Sequence, residues 1–206
     1  GDVYESENIN FLPATDMPRN YSRFDVIGAT INRTKITKGP KGGHHDAADW
    51  DNINTHYACI FDMLHAYEMN PENFTDNQLH IPESMNGIPD IIDEAMYGAR
   101  AWARSMNSKG GATSQIETWT HPPISGNFDY CYGHRTRLDS LLFAATAAQI
   151  SRLIQKFDPA KATTWKLQAE KAYRFGTDPR NSLGKLMINA KTNRGTGTPY
   201  TFEWEE

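Results

Sequence analysis

Apolar residues recur at helical spacing in four stretches of the chain. Ile53, Tyr57, Ile60, Phe61, Leu64 and Tyr67 form the first stripe, which Asn70-Pro71 closes. Ile88, Ile91, Ile92, Ala95, Met96, Ala99, Trp102 and Met106 form the second. Pro89 fits its first turn, where a missing N–H costs nothing, and Asp90, Asp93 and Glu94 place negative charge at its N-terminus. A third helix is predicted from about Arg137 to Phe157, with Leu138, Leu141, Leu142, Ala145, Ala148, Leu153 and Phe157 apolar. Asp158-Pro159 ends it and caps a fourth, which carries Ala162, Trp165, Ala169, Ala172 and Tyr173 and fades at Gly176. No alternating strand pattern competes, so the expected fold class is all-α.

The remaining stretches are less patterned. Residues 1–41, punctuated by Pro13, Pro18, Gly28, Gly39 and Pro40, read as irregular, with Val26-Ile27 or Thr30-Ile31 as short extended pieces at most. The basic run of Arg33, Lys35, Lys38 and Lys41 reads as a solvated loop. Residues 107–136 form a long connection holding Trp119, His121, Phe128, Tyr130, Tyr132 and His134. Such loops are functional or disordered, and these rings either pin the loop to the core or offer flat stacking faces to a ligand. Near the end, Leu183 to Ala190 reads as a short helix and Thr192 to Pro199 as a Gly/Thr loop. Tyr200 to Glu206 reads as the start of a further helix.

Composition narrows the function classes. The 206 residues suffice for one domain with a substantial core. The net charge is −4 with scattered Lys and Arg, which argues against a nucleic-acid partner. No apolar run approaches the ~18–20 residues that span a bilayer. No signal peptide opens the chain, so it is expected to be cytoplasmic or already processed. Cys59 and Cys131 are free to pair or to stay apart. Acceptor sequons stand at Asn20, Asn32 and Asn73. The histidines lack metal-ligand spacing.

Candidate chemistry concentrates in Gly42-Gly43-His44-His45-Asp46-Ala47-Ala48-Asp49-Trp50. On one reading Asp49 or Asp51 caps the first helix and does nothing else. On the other, Asp46 and Asp49 are the base side of an inverting glycosidase, whose acid lies about 6.5–9.5 Å from the base to leave room for water.

A second segment bears on that choice. Ile81-Pro82-Glu83-Ser84-Met85-Asn86-Gly87-Ile88-Pro89-Asp90-Ile91-Ile92-Asp93-Glu94-Ala95 resembles the "IPES-x-NG-x-PD-x-x-DEA" signature of the family-nine glycoside hydrolases, cellulase-type inverting enzymes. In that family it follows a "GGW-[HY]-DAGD" segment and a helix ending in "AYE". Gly42 to Asp49 and Ala66-Tyr67-Glu68 stand in the same order here. The resemblance covers roughly Gly42 to Gly176 and implies the first part of an (α/α)6 barrel.

It also implies roles. Asp49 matches the catalytic base and Asp46 the Asp that positions water, while His45, Trp50, Trp119 and His121 match substrate-binding positions. His44 replaces a Trp, Ala48 replaces a Gly, and Asn52 and Ile53 replace a common Lys and Tyr. The family's general acid, a late Glu, matches no residue here, so the chain is expected to be an N-terminal portion of a longer catalytic domain. No cofactor is expected. A structural calcium is implied near Glu203, although Phe202 stands where the family has an Asp. The expected partner is a polysaccharide or oligosaccharide, and the expected location is extracellular or at the cell surface. The alternatives are a catalytically silent carbohydrate-binding or structural surface protein and, less favoured, another helical-barrel enzyme such as a polysaccharide lyase.

Overall fold

The computed structural model describes residues 3–6, 33–36, 43–45, 50–113, 115–118, 130–132, 135–182, 186–191 and 199–204. Four long helices dominate it: α1 (Ile53–Met69), α2 (Asp90–Ser105), α3 (Arg137–Ile154) and α4 (Pro159–Thr177). They pack as sequential hairpins, α1 on α2 and α3 on α4, with α3 also lying against α1 and α2. This is the arrangement expected of part of an (α/α)6 barrel.

The first two helices follow their sequence stripes. Ile53, Tyr57, Ile60, Leu64 and Tyr67 are buried on α1, and Ile92, Ala95, Met96, Ala99 and Trp102 on α2. Helix α1 stops at Met69, and Pro71 opens a short 3-10 turn. Pro89 is the N-cap of α2, one position outside the helix rather than in its first turn. Asp158 caps α4 as expected, its carboxylate accepting the Lys161 N–H at 2.8 Å, with Pro159 next.

Helix α3 buries a different face from the one its leucines predict. Phe143, Ala144, Ala147, Ile150, Leu153 and Ile154 are in the core, whereas Leu138, Ala145 and Ala148 are exposed. The cause is its position between α4 and the α1/α2 pair, which buries most of its circumference and blurs any single stripe. Polar residues are drawn inside with it and are satisfied locally. The Thr146 hydroxyl donates to the Leu142 carbonyl, and the Ser151 hydroxyl to the Ala162 carbonyl of α4. On α4, Ala162, Trp165, Ala169, Ala172 and Phe175 face inward, while Tyr173 is exposed rather than part of the stripe.

Strand pairing adds to this helical frame at places where the sequence shows no strand pattern. A five-stranded sheet has the order β2-β1-β5-β4-β3, with β1 Val3–Ser6, β2 Arg33–Ile36, β3 Trp50–Asn52, β4 Gln115–Thr118 and β5 Tyr130–Tyr132. Only the β1–β5 pair is parallel. Arg33 to Ile36 is therefore a strand and not a solvated loop, while Val26-Ile27 and Thr30-Ile31 lie outside the described residues. A separate hairpin pairs β6 (Leu186–Lys191) with β7 (Pro199–Trp204). It replaces the helix expected over Leu183 to Ala190 and the helix start expected from Tyr200. Strands of 3–6 residues make too few alternations to register, and the partners of β1 lie far away in sequence.

Cys59 is a free, exposed thiol on α1. No described helix is long and apolar enough to cross a membrane. The described residues contain no group of three or more His, Cys, Asp or Glu able to hold a metal ion.

Candidate active site

The N-terminus of α2 is built around carboxylates. Asp90 is fully buried. One of its oxygens accepts the Asn77 N–H at 2.9 Å, and the other accepts the Leu79 N–H at 2.6 Å and the Ser84 hydroxyl at 2.9 Å. Burial alone raises the pKa of this group, but the Leu79 and Asn77 amides and the Ser84 hydroxyl outweigh it and hold the carboxyl below its ordinary value. Asp76 accepts the N–H groups of Met85 and Gly87, the latter at 2.7 Å. Asn86 bridges the turn: its carbonyl accepts the Ile88 N–H at 2.7 Å, and its amide donates to Asp93 at 2.9 Å.

These bonds hold a backbone that would otherwise relax. Asn77, His80 and Met85 have φ of 64°, 54° and 70°, left-handed values unusual for non-glycine residues. Gly87, at φ 86°, takes the positive value its place in the signature predicts. These carboxylates thus do more than complement a helix dipole. Asp90 and Asp76 tie the 75–89 loop to the start of α2.

Asp93 is different. It is fully buried, and its second oxygen has no hydrogen-bond partner among the described residues. Burial pushes its pKa up to about 6, with the Asn86 amide opposing only in part.

Glu68, which closes the AYE segment, performs a similar tie between helices. It accepts the Gln149 amide at 2.8 Å and forms an ion pair with Arg152, both on α3. Burial raises its pKa, but those two partners reverse the shift and leave it below the ordinary value.

Gly43 and His44 meet α2 directly. Gly43 has φ 98°, and a Cβ there would sit 2.7 Å from the Ala101 Cβ. His44 Nε2 lies 2.8 Å from a Glu94 carboxylate oxygen. A Cβ added at Gly98 would lie 2.7 Å from the His44 ring, so the imidazole rests on the bare helix backbone. Two signature segments 50 residues apart in sequence are thus in contact.

The candidate site residues are only partly described. Asp46, Asp49, Trp119 and His121 lie outside the described residues. His45 is exposed immediately after the His44 contact. Trp50 opens β3, with its Cα opposite Glu117 of β4. The sheet therefore sets the residue after Asp49 beside the residue two before Trp119. Asp51, the other candidate cap, pairs with Ile116 within β3. Glu203 pairs with Met187 in the β6–β7 hairpin.

Sequence reasoning missed the partnership of His44 with Glu94. The available signal was Gly98, the one glycine of α2, one turn after Glu94. Such a gap marks where another segment comes close.

No protein-family model matches the chain. It is 29% identical over 161 residues to a xyloglucan-specific endo-beta-1,4-glucanase of Bacteroides ovatus, covering 72% of this chain and 27% of that protein. It is 28% identical over 185 residues to a cellulose 1,4-beta-cellobiosidase of Acetivibrio thermocellus, covering 79% of this chain and 20% of that protein. The structure superimposes on a metagenome-derived glycoside hydrolase family 9 endoglucanase with a TM-score of 0.63 and 31% identity, covering 71% of this chain and 28% of the other. A Bacteroides ovatus family 9 structure gives a TM-score of 0.59 at 26% identity, covering 69% and 27%. The chain spans about a quarter of the length of these relatives. Motifs, fold and relatives agree: the structural neighbours are family 9 glycoside hydrolases, and this chain is similar to a part of them.

Proposed function

We propose that this chain carries the general-base half of an inverting glycoside hydrolase site acting on β-1,4-linked glucan or a related polysaccharide. Asp49 draws a proton from the attacking water, and Asp46 orients that water on the face of the sugar opposite the leaving group. His45, Trp50, Trp119 and His121 line the groove, where aromatic faces meet sugar rings. The partner acid must stand about 6.5–9.5 Å from the base and be protonated at the moment of bond cleavage. No residue of this chain is assigned that role. Both proton transfers are carried by carboxyl groups, so the reaction itself calls for no cofactor. A polymeric substrate of this kind fits a protein that works outside the cell.

One observation carries the reading. His44, two residues before Asp46 in sequence, is docked onto the signature helix, its Nε2 2.8 Å from Glu94. Contact between the two segments is what a shared site requires, and helix capping alone does not require it. The relatives' named activities on xyloglucan and cellulose support the substrate class.

The test is release of reducing sugar from soluble β-1,4-glucan by the full catalytic domain that contains this chain, with wild-type and variant compared in that setting. Asp49→Ala is expected to abolish it while leaving the circular dichroism spectrum and melting temperature unchanged. Full activity in that variant removes Asp49 from the base role. The departures at His44 and Ala48 favour a second reading, a carbohydrate-binding scaffold. Glucan binding by the wild-type protein with no reducing ends released would establish that reading instead.

A further inference from the structure

We propose that His44 is a positioning residue, whose hydrogen bond to Glu94 sets the stem of the segment that carries Asp46 and Asp49. The proposal rests on the base role assigned to Asp49 above.

Three observations combine. Glu94, Gly98 and Ala101 stand at i, i+4 and i+7 and therefore share one face of α2. Gly43 and His44 lie on that face: Gly43 against Ala101, the imidazole over Gly98, and Nε2 on Glu94 at 2.8 Å. The Tyr97 ring flanks the imidazole with its centroid 6.1 Å away. His44 Nδ1 is buried and has no hydrogen-bond partner among the described residues, so the Glu94 bond is the polar contact that orients the ring. Asp46 follows two residues later and Asp49 five. At Trp50 the chain is held again, by the pairing of β3 with β4. In sequence the two aspartates fall between these two anchored points, and α2 is itself fixed by the Asp90 hydrogen bonds. A base must be held within a fraction of an ångström to activate water, and such precision comes from supporting residues whose own rotamers are locked.

The experiment is a double-mutant cycle in the full catalytic domain that contains this chain, with β-1,4-glucan as substrate, comparing His44→Ala, Glu94→Ala and both together. Asp49→Ala and His44→Gln run in parallel. Each single change is expected to lower kcat about tenfold with KM within about twofold, a misplacement effect rather than a binding one. The double variant is expected to be no worse than either single, because both remove the same bond. His44→Gln, whose amide can reach Glu94, is expected to recover most of kcat. Multiplying losses, an effect confined to KM, an undiminished kcat, or a failure of His44→Gln to recover activity would each overturn the proposal. If these occur while Asp49→Ala is inactive, the positioning role alone fails. If Asp49→Ala keeps full activity, the base assignment fails and the positioning role with it.

Discussion

The α3/α4 hairpin and the junction of α2 with its preceding loop are held by different forces. The hairpin is apolar burial at close range. Phe143, Ile150, Ile154 and Trp165 fill it, and a Cβ on Gly176 would lie 2.6 Å from Leu141 and 2.9 Å from the Arg137 carbonyl. Its buried hydroxyls are satisfied by nearby backbone carbonyls. The α2 junction instead uses carboxylates to hold three left-handed non-glycine residues in place. Apolar packing fixes a scaffold, and it tolerates any residues of suitable volume. Polar ties with strained backbone specify one conformation at a local cost, as befits a region that supports a site.

The largest expected effect breaks the polar side of that comparison. Asp90→Ala leaves the Asn77 and Leu79 amides and the Ser84 hydroxyl without their acceptor. It is expected to cost about 3–5 kcal/mol in urea unfolding, the range for removing one partner of a buried charged network. Hydrogen exchange should show the 75–89 loop opening first, while the α3/α4 amides stay protected until global unfolding. The same group predicts acid sensitivity. Because its folded pKa is depressed, its contribution is present at neutral pH and is lost as pH falls below the ordinary Asp value. Asp90→Asn should flatten that acid limb.

The second effect breaks the apolar side. Gly176→Ala forces a methyl against Leu141, which can move, and against the Arg137 backbone, which cannot easily do so. A loss of about 1–3 kcal/mol is expected, the range for overpacking. The α2 loop should keep its native exchange pattern in this variant.

A third prediction has the opposite sign. Asp93 titrates near 6 in the folded protein against an ordinary 3.8, so the folded state binds its proton more tightly and this group's contribution falls as pH rises from about 4 to 6. Asp93→Asn, which removes the charge, is expected to raise stability above pH 6 by about 1–2 kcal/mol and to leave it nearly unchanged at pH 4. Paired unfolding curves at the two pH values check this.

The smallest effect concerns Tyr57, whose buried hydroxyl has no hydrogen-bond partner among the described residues. Tyr57→Phe removes an unsatisfied polar group without opening a cavity and is expected to be neutral or to stabilise by up to about 1 kcal/mol. A loss above that in thermal unfolding would show that the hydroxyl is satisfied in solution.

The two regions also differ in how they read from sequence. Helices α1 and α4 announce a limit through local chemistry, Asn70-Pro71 and the Asp158-Pro159 cap, and α1 its buried face through the 3.6-residue stripe of Ile53 to Tyr67. The buried face of α3 was misread from Leu138 and Ala145, because a helix with neighbours on several sides has no single apolar stripe. Strands β1 to β5 were missed because their stability comes from non-local pairing, as between Val3 and Tyr130. At the candidate site, the motif picks out two segments that the structure brings into contact through His44 and Glu94, and Gly87 takes its expected backbone. The motif did not reveal that Asp90 is a buried acceptor for the preceding loop. Nor did it show that His44, a departure from the family pattern, has Glu94 as its partner. Contacts of that kind depend on how two segments meet, which spacing within either one does not encode.

The measurement that tests the central claim most directly is the anomeric configuration of the first product, followed by proton NMR as the full catalytic domain containing this chain is added to a β-1,4-linked cello-oligosaccharide. The account predicts that the α-anomer rises first and that Asp49→Ala produces none. A β-anomer as the first product, or an unchanged time course in Asp49→Ala, would contradict it.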